Sequence, residues 1–140
     1  MTQDEIRIAF ERALLEWPLW QAWHEVRVHP LPDDKWSVAY RTEAGMEREW
    51  RTGFEINIDG VICYLLSIGV TQFRRNKGYG SQLYEVVERA AASLGLEYVM
   101  MYPSGTTPRG ESREAYLLRR GYQKHQYSDQ VYKELKPTTP

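Results

Sequence analysis

The sequence has only one cysteine in 140 residues, so no disulfide can form within the chain. Its three histidines, His24, His29 and His125, are scattered, and together with Cys63 they show no ligand spacing typical of a zinc site. The longest nearly continuous apolar stretch, residues 61–70, has about half the length of a membrane-spanning helix. The N-terminus has no basic region followed by an apolar run. We therefore predict a cytoplasmic protein without a metal or a membrane segment.

Net charge is equally scarce, because 18 lysines and arginines are balanced by 19 aspartates and glutamates. This neutrality is a cancellation between two halves. Residues 1–70 carry 7 basic and 12 acidic side chains (−5), whereas residues 71–140 carry 11 and 7 (+4). A positively charged half favours an anionic partner. The tryptophans follow the opposite division, because all five lie within the first 50 residues.

Length and composition predict one globular domain. A chain of this length suffices for a single hydrophobic core. With 42% hydrophobic and 26% charged residues, it is neither a wholly disordered chain nor a collagen or a coiled coil. Neither an internal repeat nor a low-complexity linker interrupts the sequence. We therefore expect one domain over residues 1–135 and a disordered tail at 136–140.

The N-terminal periodicity predicts two helices. Thr2 and Glu5 have the spacing of a capping box, and apolar residues then recur with helical spacing as far as Trp17. Pro18 cannot continue that helix, but it can begin a second short helix that carries Trp23. We expect the tryptophans of this region to form the packed face of the two helices.

Alternating apolar and polar residues predict strands around residues 26–28, 36–40 and 50–58, each with one covered face. The Asp-Gly pair at 59–60 then predicts a hairpin turn. The next segment, 61–70, is apolar in both alternating sets. This pattern is typical of a central strand that is covered on both faces.

A helical stripe follows over residues 83–94, then a second buried strand at 97–102, a short helix at about 111–120, and strand-like pieces at 122–127 and 131–135. This order predicts a mixed α/β fold, in which a mostly antiparallel sheet is flanked by helices on both faces. The central strand-loop-helix-strand unit is expected to be a parallel crossover. Ligands of open sheets collect outside the carboxyl ends of such strands.

The loop after the central strand concentrates positive charge. Arg74, Arg75 and Lys77 precede Gly78 and Gly80, where the helix begins. Glycines let a ligand approach the backbone closely, and the amides and dipole of a helix N-terminus favour an anion. Basic residues oppose that dipole, and a bound polyphosphate would remove the conflict. The alternative is a glycine turn in a solvated basic loop; neither a Walker loop nor a Rossmann fingerprint fits.

On these residues the sequence resembles the GNAT acetyltransferase superfamily. Its cofactor signature, Arg/Gln-x-x-Gly-x-Gly/Ala, is matched by Arg75, Gly78 and Gly80, with Val70 at the family spacing before them. Gln72 departs from the pattern, since many members have proline there. The order of elements agrees over nearly the whole chain. The resemblance implies a single GNAT-like domain that uses acetyl-CoA as its co-substrate.

The resemblance also implies cofactor-binding residues. The loop amides of the family bind the pyrophosphate of acetyl-CoA, and the matching positions are Arg75, Asn76, Lys77, Gly78, Tyr79, Gly80 and Ser81. The pantetheine arm pairs in the family with the fourth strand, where that strand splays from the fifth. The corresponding residues here are Ile68, Gly69 and Val70. A backbone N–H near Ile68 would then stabilise the oxyanion.

Catalytic residues are implied in the same way. The family positions a tyrosine after the fifth strand to protonate the departing thiolate; the usual spacing falls on Leu117, with Tyr116 one residue away. One residue is about 100° around a helix, so Tyr116 is either the general acid or a core aromatic. The fourth strand lacks the carboxylate of many members, and Glu55 on the preceding strand is the candidate base. A second basic cluster comprises Arg109, Arg113, Arg119 and Arg120.

We therefore predict an N-acetyltransferase that transfers an acetyl group to a primary amine by direct attack. Because the fourth strand has no carboxylate, we favour an acceptor amine with a low pKa or a general base that acts through a water molecule. Two alternatives stay open: a GNAT-like module that binds CoA or acyl-CoA without efficient catalysis, and a nucleic-acid-binding module. The latter lacks interleaved aromatic and basic residues. The acceptor is open between a small molecule and a protein amine, and a homodimer is common in the family.

Overall fold

The structure is a computed structural model that describes residues 1–42, 52–70 and 78–136. Three helices and seven strands lie within these ranges. In chain order they are α1 (Gln3–Leu14), β1 (Arg27–Leu31), β2 (Lys35–Thr42), β3 (Thr52–Asp59), β4 (Ile62–Gly69), α2 (Tyr79–Ser93), β5 (Tyr98–Met101), α3 (Arg113–Arg119), β6 (Gln123–Lys124) and β7 (Val131–Glu134). The predicted tail lies outside the described residues except for Lys136.

The seven described strands form one sheet in the order β1-β2-β3-β4-β5-β7-β6. Five of the neighbouring pairs run antiparallel, and β4 runs parallel to β5. The helix α2 connects these two parallel strands, as the strand-helix-strand pattern predicts. The prediction of a mixed, mostly antiparallel α/β sheet is therefore confirmed.

The first helix begins at the predicted capping box. The Thr2 hydroxyl oxygen accepts a hydrogen bond from the Glu5 amide at 3.2 Å, which satisfies one of the unpaired donors of the first turn. Ile6, Phe10 and Leu14 then bury one face of the helix. The apolar periodicity of the N-terminal residues is thus the periodicity of α1.

The prediction of a second helix after Pro18 is wrong. The chain makes successive turns there, in which the amides of Trp17 and Trp20 each donate to the carbonyl three residues earlier. These turns bring the rings of Trp17 and Trp20 against Tyr40 of β2. Trp23 is 74% exposed, so the tryptophans of this region do not form one packed face.

The described helices pack against one face of the sheet rather than against both. Phe10 of α1 contacts Phe54 of β3, with ring centroids 5.7 Å apart, and α1 lies alongside α2. Lys133 of β7 projects from the same face of the sheet as Phe54 and donates a hydrogen bond to Glu88 of α2. A ring contact between α2 and α3 places α3 beside α2. The helices differ from the expected two-sided arrangement because their apolar stripes join a single buried cluster.

A bulge interrupts the pairing of β4 at Leu66. Leu65 pairs with Ile56 and Ser67 with Glu55, so Leu66 has no matched residue, and its side chain is 58% exposed. The other side chains of β4 that face away from the helices are partly exposed as well. The prediction that 61–70 is covered on both faces is therefore wrong, because the described helices cover only one.

Neither a metal cluster nor a membrane span occurs among the described residues. These residues contain no group of three His, Cys, Asp or Glu side chains that could hold a metal ion. None of the described helices is both long and apolar enough to cross a bilayer. Cys63 is a buried free thiol in β4, and burial raises the pKa of this thiol, which keeps it protonated.

Glu88 joins α2 to the C-terminal part of the sheet. Its side chain is 12% exposed, and its carboxylate accepts hydrogen bonds from the Tyr122 hydroxyl at 2.8 Å and from Lys133 Nζ at 3.1 Å. Arg120, at the end of α3, lies 3.4 Å from the same carboxylate. Burial and the charge of Glu88 raise the pKa of Tyr122, so its hydroxyl remains a donor. Glu88 therefore holds α2, α3 and β7 together.

Replacing Glu88 by glutamine leaves two cations without their anion. We expect the free energy of unfolding to fall by about 2–3 kcal/mol, because losing one partner of a largely buried ion pair is costly. Glu85→Gln alters an exposed side chain of the same helix and should change stability by no more than about 0.5 kcal/mol. Urea unfolding followed by circular dichroism measures both, and equal stability of the two variants would contradict the role of Glu88.

Candidate functional site

The strands β4 and β5 pair only at their beginnings. Tyr64 and Met100 form the last matched pair, whereas β4 continues as far as Gly69 in register with β3. Beyond Tyr64, the edge of β4 that faces β5 has no strand partner among the described residues. A crevice at the carboxyl ends of such strands is where open α/β sheets bind ligands. This divergence is therefore the candidate functional site.

A cavity of about 630 Å³ occupies the divergence, a volume within the range of small-molecule sites. Within the described part of the chain, its walls come from three segments: the end of β4, the first turns of α2, and the segment from residue 106 into α3. The wall from β4 consists of Ile68, Gly69 and Val70. The bulge at Leu66 turns Ile68 to the face on which the helices pack.

The first turn of α2 presents its backbone to the cavity. Gly78 precedes the helix with a φ of 80°, a left-handed conformation that glycine adopts without strain. None of the described side chains caps this end, and the first turn has no acidic residue, so the helix dipole is not offset there. At Gly80 an added Cβ would meet Val70 Cγ2 at 3.8 Å, which is an ordinary contact. Packing therefore does not require glycine at position 80.

Tyr116 of α3 lines the cavity and contacts the first turns of α2. Its hydroxyl oxygen is 2.7 Å from Ser81 Oγ, a hydrogen bond in which either group can be the donor. Its ring contacts Tyr84 at a centroid distance of 5.8 Å, and the Arg119 guanidinium lies 5.7 Å from the ring centroid. The hydroxyl of Tyr116 is thus fixed at the first turn of α2.

The segment after β5 adds positive charge to the cavity wall. Among the described residues, the arginines that line the cavity are Arg109, Arg113 and Arg119. Arg113 donates to the Tyr84 hydroxyl at 3.0 Å and to the Thr106 carbonyl at 3.3 Å. Arg119 is paired with Glu111 at 2.6 Å, and this carboxylate raises the pKa of the guanidinium. Burial raises the pKa of Tyr84 although Arg113 opposes it, so the hydroxyl is protonated at neutral pH.

The structure brings together most of the described residues that the resemblance implied. Those that line the cavity are Ile68, Gly69, Val70, Gly78, Gly80, Ser81 and Tyr116. Tyr79 is directed elsewhere: its ring packs against the core, and its carbonyl accepts a hydrogen bond from Trp17 Nε1 at 3.2 Å. The remaining loop positions, Arg74, Arg75, Asn76 and Lys77, lie outside the described residues.

Glu55 is not among the residues that line the cavity. It lies on β3 beside Ser67 of β4, and its carboxylate forms an ion pair with Arg41 of β2. Its neighbours in sequence, Phe54 and Ile56, are buried under the helices, so Glu55 projects from the opposite face of the sheet. Glu55 is therefore not in direct contact with the cavity.

Sequence reasoning assigned only Tyr116 of the third wall to the site. The described lining residues that it did not assign are Tyr84 of α2 and, on the third wall, Thr106, Thr107, Pro108, Arg109, Glu111, Arg113 and Arg119. A usable signal was present, because the polar segment 103–110 follows β5, and the carboxyl ends of parallel neighbours meet at the same sheet edge. The second basic cluster is visible in the sequence, but its position beside α2 depends on how α3 packs.

Comparisons with known proteins agree with this architecture. The model of the Acetyltransferase (GNAT) family matches residues 44–122. No curated protein is a significant match to the chain. Among solved structures, a putative acyl-CoA N-acyltransferase from Klebsiella pneumoniae is similar with a TM-score of 0.51 at 18% identity, over 92% of this chain and 89% of that protein.

Two further solved structures are similar. An acetyltransferase of the GNAT family from Staphylococcus aureus has a TM-score of 0.50 at 14% identity, over 73% of this chain and 69% of that one. The PaiA N-acetyltransferase from Thermoplasma acidophilum, solved in complex with coenzyme A, has a TM-score of 0.50 at 12% identity and covers 71% of this chain. The present chain spans 59% of the length of that protein. At these identities the likeness concerns the fold.

The hydrogen bond between Ser81 and Tyr116 can be tested by a double-mutant cycle. We expect Ser81→Ala and Tyr116→Phe each to lower the free energy of unfolding, and the double variant to lose less than their sum by about 0.5–1.5 kcal/mol. Tyr84→Phe combined with Ser81→Ala serves as the control pair, because no hydrogen bond joins these two side chains. Strict additivity for Ser81 and Tyr116 would contradict the contact.

Proposed function

The chain belongs to the GNAT acetyltransferase family, and we propose that it transfers the acetyl group of acetyl-CoA to a primary amine. One observation carries this proposal. A single cavity joins two features: the edge of β4 at Ile68 and Gly69, which has no strand partner among the described residues, and the first turn of α2, which none of the described side chains caps. The edge of β4 has backbone groups that can pair with the arm of a thioester ligand. The N-terminus of α2 has amides that can bind a diphosphate.

The described residues fit a coenzyme A thioester. Gly69 and Gly80 add no side chain to the cavity, so a ligand can approach the backbone closely at both walls. The end of α2 that meets the cavity has the polarity that favours an anion. The cavity volume and its mixture of apolar and polar walls are those of a small-molecule site.

The reaction forms a bond between the amine nitrogen and the carbonyl carbon and breaks the bond between that carbon and sulfur. We propose that a backbone N–H near Ile68 stabilises the negative charge that develops on the carbonyl oxygen. Tyr116 is the proposed donor of the proton that the departing thiolate takes up. Its hydrogen bond with Ser81 holds the hydroxyl in the cavity, which supports this role because a general acid has to be positioned before it is needed.

The acceptor amine has to lose a proton before it attacks. At pH 7 a lysine side chain with a pKa near 10.4 needs about 4.6 kcal/mol for this step, whereas an α-amine with a pKa near 8 needs about 1.4 kcal/mol. Glu55 lies outside the cavity lining and is engaged by Arg41, so it would act through water. This position supports the proposal of an acceptor with a low pKa.

Binding and turnover of acetyl-CoA test the proposed function. At a hundredfold excess over its dissociation constant, acetyl-CoA should stabilise the protein by about 2.7 kcal/mol in thermal unfolding. A panel of amines, each assayed for CoA release, should contain acceptors that raise the rate. Stabilisation without CoA release from any amine would favour the non-catalytic binding module, and no stabilisation at millimolar acetyl-CoA would contradict both.

Tyr116→Phe tests the proton donor in the same assay. With an active amine, we expect kcat to fall by about 10²–10⁴-fold while KM for acetyl-CoA changes little, because the hydroxyl acts on the leaving group. Tyr102→Phe, at an exposed tyrosine outside the cavity lining, is the matched control and should keep the parent rate. An unchanged kcat in Tyr116→Phe would assign the proton transfer to another group.

Substitutions at position 80 should affect protein stability and ligand binding in opposite directions. Gly80→Glu should raise the free energy of unfolding by about 0.5–1 kcal/mol, because it replaces a helical glycine and adds a negative charge at the helix N-terminus. The same change should weaken acetyl-CoA binding more than tenfold, since the carboxylate occupies the place of an anion. Gly80→Gln is the uncharged control of similar size, and calorimetry measures both affinities. Equal binding by the Glu and Gln variants would contradict an anion at this turn.

A further inference from the structure

The third wall of the cavity, which the proposed pyrophosphate site does not use, also carries positive charge. The proposed pyrophosphate site is the backbone at Gly78 and Gly80, at the start of α2. The third wall instead presents arginine side chains from the segment after β5, a separate part of the chain. Two positive walls of different construction favour a ligand with two anionic groups.

The arginines of the third wall differ in how far a nearby carboxylate offsets their charge. Arg119 is neutralised by Glu111 in a direct ion pair. Arg113 donates instead to two neutral oxygens, those of the Tyr84 hydroxyl and the Thr106 carbonyl. Within residues 1–42, 52–70 and 78–136, neither Arg109 nor Arg113 forms an ion pair with a carboxylate. The uncompensated charge of this wall therefore belongs to Arg109 and Arg113.

The hydrogen bonds of Arg113 also fix where its charge lies. Tyr84 follows Gly80 by four residues, so it stands about 6 Å further along the axis of α2, roughly one helical turn from the uncapped amides. The Arg113 guanidinium is held at the hydroxyl of Tyr84. Two of its nitrogens are engaged, and the rest of the planar fork is available to a ligand.

Coenzyme A carries its anionic groups in a matching arrangement. One ribose bears the diphosphate on its 5′-oxygen and a separate phosphate monoester on its 3′-oxygen, so the two groups are divided by little more than the sugar ring. A phosphate monoester is close to doubly charged at neutral pH, and guanidinium groups match its oxygens in charge and geometry.

We propose that Arg109 and Arg113 form a subsite for the 3′-phosphate of coenzyme A. The inference rests on the proposed function, because this phosphate reaches the cavity only as part of a coenzyme A ligand. Arg113 is pre-positioned by Tyr84 and Thr106, whereas Arg109 is exposed and adds charge from the loop. The subsite distinguishes coenzyme A from nucleotides that carry a diphosphate alone.

The test compares coenzyme A with 3′-dephospho-coenzyme A, which lacks only this phosphate. Calorimetric titration at fixed ionic strength measures both dissociation constants for the parent protein and for Arg109→Gln, Arg113→Gln and Arg12→Gln. The parent should bind coenzyme A at least tenfold more tightly than the dephospho form, the ratio expected of a charge-assisted contact. Arg109→Gln and Arg113→Gln should each reduce this ratio, and they should leave the affinity for the dephospho form unchanged within about twofold.

The control Arg12→Gln makes the same change in net charge at an exposed position of α1 and should keep the parent ratio. Arg113→Gln also removes hydrogen bonds to Tyr84 and Thr106, so its urea unfolding is measured as well. Arg109→Gln breaks no described contact, and it keeps the test valid if the other variant fails to fold.

Three outcomes would overturn the subsite. The parent could bind the two ligands equally, or the variants could weaken both ligands by the same factor, which would place the arginines at the diphosphate. The variants could also leave both affinities unchanged. If the parent binds neither ligand, the proposed function fails as well, and thermal unfolding with acetyl-CoA shows that failure independently of the arginines.

Discussion

The early separation of β4 from β5 is the constraint on which the candidate site depends. Strands in the middle of a sheet normally satisfy their backbone groups on both sides. Here β4 leaves β5 after Tyr64 yet stays in register with β3 as far as Gly69. The helix α2 begins close to the separated end, since Gly80 adjoins Val70. The backbone groups released by the separation and the first amides of α2 therefore face one cavity.

Long-range contacts hold α2 in the orientation that this cavity requires. At its N-terminal end, the indole of Trp17 donates to the carbonyl of Tyr79. Further along, Glu88 binds Tyr122 and Lys133 from the C-terminal part of the chain. The N-terminal turns and side chains from the C-terminal part of the chain thus position the same helix on the face of the sheet where the described helices pack.

The fold brings positively charged residues together at the cavity. The positive second half of the sequence includes Arg109, Arg113 and Arg119. These arginines line the same cavity as the end of β4 and the first turns of α2, although both of those elements lie earlier in the chain. Glu111 offsets one of the three. Glu55, from the acidic half, is directed to the opposite face and is paired with Arg41. The cavity wall consequently keeps an excess of positive charge.

Local interactions were readable from the sequence by itself: the capping box at Thr2, the hairpin at Asp59 and Gly60, the stripe of α2 and the glycine motif at its start. Each depends on neighbours within a few residues, so spacing alone determines it. Tertiary packing decided the turns that replace a helix after Pro18, the one-sided placement of the helices, and the position of the arginines against Tyr84. These features depend on residues far apart in the chain that meet only when the sheet and helices bury a common core, and no local periodicity records which face that core will occupy.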